Sequence, residues 1–169
     1  MTAKTLESQR VLDRPARRTL RLKKILVPID FSPAAKNALK YAVRFAEELG
    51  GELTLLYVLE PDSMTGQMAI PEATDFVEAD IVAAGKNLRS LIASVRTGKI
   101  ERPHWKVRAG TASHEIVEAA KELDVDLIII ATHGYTGWKH FCIGSTAERV
   151  VRAAPCPVLV VREKEHEFC

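Results

Sequence analysis

The residues with chemistry to offer gather at positions 131–146, in the run ATHGYTGWKHFCIGST that directly follows the apolar segment DLIII. Gly134, Gly137 and Gly144 remove side-chain bulk at three points, and Ser145 and Thr146 bring hydroxyls to the place where a helical pattern begins. The first N–H groups of a helix lack intrahelical acceptors and sit at the positive end of its dipole, so a phosphate is the natural occupant. Glycines would let the backbone approach that phosphate and would permit positive φ where the loop folds back. A plainer reading stands beside this one. Ser145-Thr-Ala-Glu148 has the form of a capping box, and glycines are common in any strand-to-helix connection.

The other polar groups of the run are less specific. His133, Lys139 and His140 suit phosphates, but loop histidines are usually solvated and no GxxxxGK[ST] spacing makes Lys139 a P-loop lysine. Cys142 lies near a helix start that would favour its thiolate, which leaves packing and redox tuning both open. Tyr135 and Trp138 suit a clamp on the loop or a partner contact rather than a base stack. No GxSxG, HExxH, SGGxDS or HIGH motif and no convincing acid pair occurs, so a conventional hydrolase or nucleotidyl-transferring enzyme is not expected.

Composition narrows the setting. With 169 residues, 47% of them hydrophobic, the chain can bury one sizeable core and make about one domain. Its 24 basic and 22 acidic residues leave a formal charge of +2, too little for a field that recruits nucleic acid. The three cysteines, Cys142, Cys156 and Cys169, show neither CxxC nor zinc-finger spacing, which suits a reducing, cytoplasmic location. No apolar run approaches the roughly 18 residues that span a bilayer, and the start has no secretory core, so no membrane partner is expected.

Those polar residues need a scaffold, and the rest of the chain supplies one. Residues 1–22 read as a basic, flexible arm around Arg14, Arg17, Arg18 and Arg21, and 163–169 as a charged tail. A strand over 25–29 leads to Ser32-Pro33, a good helix start, and Ala35, Ala38, Leu39, Ala42, Phe45, Ala46 and Leu49 recur on one face until Gly50-Gly51. ELTLLYVLE is a second strand and PDSMTGQMAIPE a loop able to close over a ligand. A helix over 73–97 follows with Val77, Ile81, Ala84, Leu88, Leu91, Ile92 and Val95 inward, although Gly85 costs it about 1 kcal/mol. HWKVRAG, DLIIIA and PVLVVR read as three more strands. TASHEIVEAAKELDV and STAERVVRAA read as two more helices, the first with Ile116, Val117, Ala120 and Leu123 inward. Aliphatic strands alternating with helices predict an α/β fold, an open doubly wound parallel sheet of five strands with four helices. In such sheets ligands settle beyond the carboxyl ends of the strands where their order reverses. PIDFS and the glycine-containing run would meet there if strands one and four are neighbours, which is assumed.

Three pieces of the chain carry a family resemblance: KKILVPIDFSPAAKNALKYA at the first strand, LLYVLEP at the second, and the glycine-containing run with ERVVRAAPCPVLVVR behind it. Together they resemble the universal stress protein family over roughly residues 23–162. The nucleotide-binding branch of that family carries Gly-x2-Gly-x9-Gly-Ser/Thr. Here Ala131-Thr132-His133-Gly134, nine residues and Gly144-Ser145 reproduce all of it except the first glycine, where Ala131 stands. A methyl there is tolerable while φ stays negative.

The resemblance implies a Rossmann-like, adenine nucleotide alpha hydrolase-like sheet of order 3-2-1-4-5. It further implies ATP, or ADP or AMP, bound with Mg²⁺ or Mn²⁺. Asp30 would contact the ribose or the metal-phosphate end, and the backbone around Pro28, Ile29 and Val58 would line adenine. Ala131, Thr132, His133, Gly134, Gly137, Gly144, Ser145 and Thr146 would form the phosphate loop, with Gly110 nearby. Local chemistry keeps other readings open, since Asp30 also suits a turn, Val58 the core and Gly110 a plain bend. A homodimer is expected through strand five, residues 157–162 with Pro157 and Arg162 at its ends, because an aliphatic edge needs a cover. The implied function is a nucleotide-dependent regulatory protein of the stress response, working by binding and conformational change, with slow ATP hydrolysis or autophosphorylation left open. The alternative is a dimeric stress-response interaction module without nucleotide.

Overall fold

The computed structural model describes residues 22–60, 73–95, 103–132 and 144–162. In chain order these form β1 (Lys24–Pro28), α1 (Pro33–Leu49), β2 (Glu52–Leu59), α2 (Ala73–Ser94), β3 (His104–Ala109), α3 (Ala112–Leu123), β4 (Leu127–Ala131), α4 (Ser145–Ala153) and β5 (Val158–Val161). The strands make one sheet of order β3-β2-β1-β4-β5. Every pairing is parallel, and the assumed neighbours do meet, Ile25 opposite Leu127 and Leu26 opposite Ile128. The expected doubly wound sheet is therefore the fold.

Side chains alternate across a strand, so each strand feeds two cores. Ile25, Val27, Leu53, Leu55, Leu127 and Ile129 turn toward α1 and α2. Leu26, Leu56, Ile128 and Ile130 turn toward α3 and α4, meeting Ile116, Ala120, Ala147 and Val150. Burial on both faces is why these strands read as unbroken aliphatic runs.

The signals at the ends of α1 act as their chemistry dictates. Ser32 Oγ accepts the Ala35 N–H at 3.1 Å, Pro33 takes the first helical position, and Gly50 closes the helix at φ 71°. Val43 joins the expected inward face. The second helix differs more. It ends at Ser94, short of 97, and Ile81 is 37% exposed instead of inward, while Ala84 and Leu88 are buried. Val77 has a side chain outside the described residues. Gly85 has a use the sequence concealed, because a Cβ there would stand 3.0 Å from the Trp105 ring, and the bare backbone lets the indole lie against the helix. Arg89 covers the same ring, its Cζ 5.1 Å from the centroid. Among the described residues no helix is long and apolar enough to cross a membrane.

Ser32 is 3% exposed, so its hydroxyl has little access to water if the cap is lost. Ser32→Ala is expected to lower stability by about 1 kcal/mol, read as a shifted urea midpoint at unchanged slope. An unmoved midpoint would show that the cap contributes nothing.

Candidate functional site

The chain leaves β1 and β4 in opposite directions, α1 going to one face of the sheet and α4 to the other, so a crevice opens beyond their carboxyl ends. On the β1 side, Pro28 ends the strand opposite Leu56, and the Ile29 N–H still donates to Leu56 O at 2.8 Å. Asp30 follows, half-buried, its Oδ1 accepting the Ser32 N–H at 3.0 Å. Asp30 thus makes the turn and also presents a carboxylate at the crevice edge.

On the β4 side, Ala131 ends the strand opposite Val161 and packs against the α1-side core. Among the described non-glycine residues only Phe31 and Asp124 have positive φ, so Ala131 is accommodated without backbone strain. Thr132, 6% exposed, donates its N–H to Val161 O at 2.9 Å and accepts the Gly144 N–H on its own carbonyl at 2.7 Å. That last bond sews the start of α4 to the end of β4.

Two expectations about this helix start are corrected. The cap is Gly144, at φ −59° and ψ 149°, and Ser145 is the first helical residue, so the Ser145–Glu148 capping box does not form. The reason is tertiary: the Thr132 carbonyl holds Gly144 one position before the serine. A φ of −59° is open to any residue, so glycine is not needed at 144 for a positive φ. The Glu148 N–H is the first to find an acceptor in the helix, on Gly144 O at 3.0 Å. The N–H groups of Ser145, Thr146 and Ala147 precede it, without intrahelical acceptors and at the positive end of the α4 dipole. His133, Gly134 and Gly137 lie outside the described residues, as do Lys139, His140 and Cys142.

Val58 and Gly110 stand one and two strands away from β1. Val58, on β2, packs into the α3/α4 core, which leaves its backbone as the part able to meet a ligand. The Gly110 N–H donates to Leu59 O at 2.9 Å, and its φ of 145° is a torsion that side chains with a Cβ rarely adopt. The mouth of α3 opens at this same edge and is already occupied, because the Ala112 N–H donates to Glu60 Oε1 at 2.7 Å. Arg108 pairs with Glu115 at 3.3 Å and also with Glu122, which Lys106 reaches at 2.8 Å. The hydrogen bond from Lys106, its charge and that of Arg108 hold the Glu122 carboxyl below the ordinary value. Cys156, just before β5, behaves differently: burial pushes its thiol up, against a reactive role.

Sequence reasoning missed two residues beside Asp30. Phe31 has φ 63°, and its ring lies 5.1 Å from that of Tyr57 at a 45° tilt. A left-handed residue with a side chain costs about 1–3 kcal/mol, and a tilted aromatic pair returns about 0.5–1.5 kcal/mol. The available signal was spacing, since only two residues separate the last ladder residue, Ile29, from the cap, Ser32. A cleft of about 300 Å³ also exists, lined in part by Lys24, Thr54, His104 and Lys106, but it lies at the opposite, amino-terminal edge of the sheet. Its lysines are engaged, Lys24 with Leu123 O at 2.9 Å and Lys106 with Glu122.

A doubly wound sheet with an open helix mouth at its switch point defines a class of α/β ligand-binding domains. Within that class, the model of the Universal stress protein family matches residues 21–162, and the chain belongs to this family. It is 31% identical over 145 residues to universal stress protein MJ0531 of Methanocaldococcus jannaschii, covering 86% of this chain and 85% of that one. The solved structure of MJ0577 from the same organism superposes with a TM-score of 0.74 at 29% identity, over 87% of this chain and 100% of its own. The universal stress protein of Archaeoglobus fulgidus, solved in complex with dAMP, superposes at 0.59 with 24% identity, over 84% of this chain and 99% of its own, a likeness of fold alone.

Gly110→Ala is expected to destabilise the protein by about 1–3 kcal/mol, because the torsion cannot be kept cheaply once a Cβ is present. The new Cβ would also stand 3.0 Å from Glu115 Oε1, a flexible side-chain end that can yield. Thermal melts check this, and an unchanged melting temperature would mean that the loop relaxes to a negative φ.

Proposed function

We propose that the protein binds an adenine nucleotide, ATP with ADP or AMP as weaker or product forms, at the crevice between β1 and β4, and that occupancy is its regulatory signal. The observation that carries this reading is the bond from Gly144 N–H to Thr132 O at 2.7 Å. It fixes the mouth of α4 at the sheet edge and leaves the next three amides for anionic oxygens. Asp30, across the crevice, suits the ribose hydroxyls or a phosphate-bound cation, while the backbone at Pro28, Ile29 and Val58 suits adenine. Ser145 and Thr146 add hydroxyl donors, and Gly134 and Gly137 complete the family pattern. The dAMP complex of the Archaeoglobus fulgidus protein supports the reading at the level of the fold.

Among the described residues no group of three His, Cys, Asp or Glu side chains could hold a metal ion. Mg²⁺ or Mn²⁺ would arrive with the nucleotide, held by its phosphates and Asp30, and would polarise the terminal phosphoryl group. The sequence carries no GxSxG or HExxH motif and no convincing acid pair, a content that fits binding better than rapid turnover. The sparse cysteines support a cytoplasmic setting.

Denaturing the purified protein should release an adenine nucleotide identifiable by mass spectrometry, and the emptied protein should bind ATP below millimolar concentration. Gly144→Val keeps an allowed backbone and adds bulk at the helix mouth, so it should fold and lose about tenfold or more in affinity. No binding at millimolar ATP would sink the proposal and leave the interaction module without nucleotide.

The pairing of two copies through β5 is proposed on the contrast between the sheet's two edges. β3 carries Lys106 and Arg108, charges that guard an edge, whereas β5 is Val-Leu-Val-Val. Light scattering at micromolar concentration should return twice the chain mass, and a single-chain mass would refute the pairing.

A further inference from the structure

We propose, resting on that reading of the site, that Phe31 is a positioning residue for nucleotide: held on Tyr57, its ring keeps the left-handed turn that sets the Asp30 carboxylate at the crevice.

Both ends of this turn are anchored. Ile29 is 3% exposed and bonded to Leu56 O at 2.8 Å, and Ser32 is 3% exposed and capped onto Ala35 N–H at 3.1 Å. Only Asp30 and Phe31 lie between the ladder and the cap, Ser32, so the reversal must be made within two residues. Phe31 makes it with φ 63°, a torsion that glycine, asparagine and aspartate take readily and phenylalanine does not. The other positive-φ residue, Asp124, is of the tolerant kind and closes α3. At position 31 the compensation is the ring, which packs on the α1-side core and lies 5.1 Å from Tyr57.

The torsion has a direct consequence for the carboxylate. It aims the Ser32 N–H back at Asp30 Oδ1, 3.0 Å away, and that bond orients the carboxyl plane. Were φ at Phe31 to turn negative, the Ser32 amide would swing off and Asp30 Oδ1 would lose that bond. Phe31 need not touch the ligand in this account. It acts through Asp30, and Tyr57 acts through Phe31.

Calorimetric titration of the full chain with Mg²⁺-ATP separates this from a merely structural ring. Phe31→Val keeps an apolar, β-branched side chain that resists positive φ, and it should weaken ATP by about fivefold or more. Phe31→Asn discards the ring but takes the left-handed torsion, and it should stay within about twofold of the parent although its melting temperature falls. Tyr57→Leu should weaken ATP in the parent and have no effect on affinity when combined with Phe31→Asn, which no longer needs the ring. That pair of measurements decides the matter should Phe31→Val fail to fold. Valine binding as tightly as the parent, valine and asparagine weakening alike, or Tyr57→Leu acting equally in both backgrounds would each overturn the proposal. A parent that binds no ATP would instead overturn the nucleotide site itself.

Discussion

The parallel pairing of β1 with β4 is the interaction on which the remaining architecture turns. Ile25 and Leu26 sit opposite Leu127 and Ile128, and both strands are covered on both faces, so from Ile25 and from Leu127 onward neither carries a polar side chain until it emerges at the carboxyl edge. Asp30 and Thr132 are the first polar residues on each side. Their meeting at one crevice follows from the register of two strands and from nothing nearer in the chain. At the other end, Asp126 locks the same register by accepting the N–H groups of Lys23 at 2.7 Å and Lys24 at 3.0 Å.

The two helix mouths at the carboxyl edge are electrostatically unlike. α3 meets a carboxylate of the chain itself, Glu60, on the Ala112 amide. α4 is held by a backbone carbonyl one residue earlier, through Gly144, so its first helical amides are not consumed in docking it. Ala147 and Val150 bury the inner face of α4 and keep that mouth in place. The same dipole that makes an internal acid favourable at α3 makes an external anion favourable at α4. Phe31 adds a local constraint to this long-range one, since a torsion disfavoured for its residue type is stabilised by a ring on the neighbouring strand.

Much of the scaffold was legible because its signals act within a turn or two. Ser32-Pro33 and Gly50 marked the ends of α1 by hydrogen-bond chemistry and steric freedom that need no distant partner. An unbroken aliphatic run marked β4 as covered on both sides, whereas β5, with the same kind of run, is half-buried at three of its four residues. The misreadings share one cause, a distant group. Ile81 fits the apolar period of α2 yet is 37% exposed, because nothing among the described residues comes to cover it. Gly85 read as a weakness of α2 and proved to be the seat of Trp105, a residue on another element. Ser145 read as a cap by its type, and the Thr132 carbonyl moved the cap to Gly144.

By itself, then, the sequence determined the order of strands and helices, the glycine and hydroxyl content of the candidate site and the family to which the chain belongs. Periodicity, capping and motif spacing are properties of neighbouring residues. Tertiary structure alone decided that Asp30 and Thr132 share an edge, that the mouth of α4 opens beside them, and that Phe31 turns left-handed against Tyr57. Each of these depends on groups brought together across the sheet, and contacts of that kind leave no local trace in the chain.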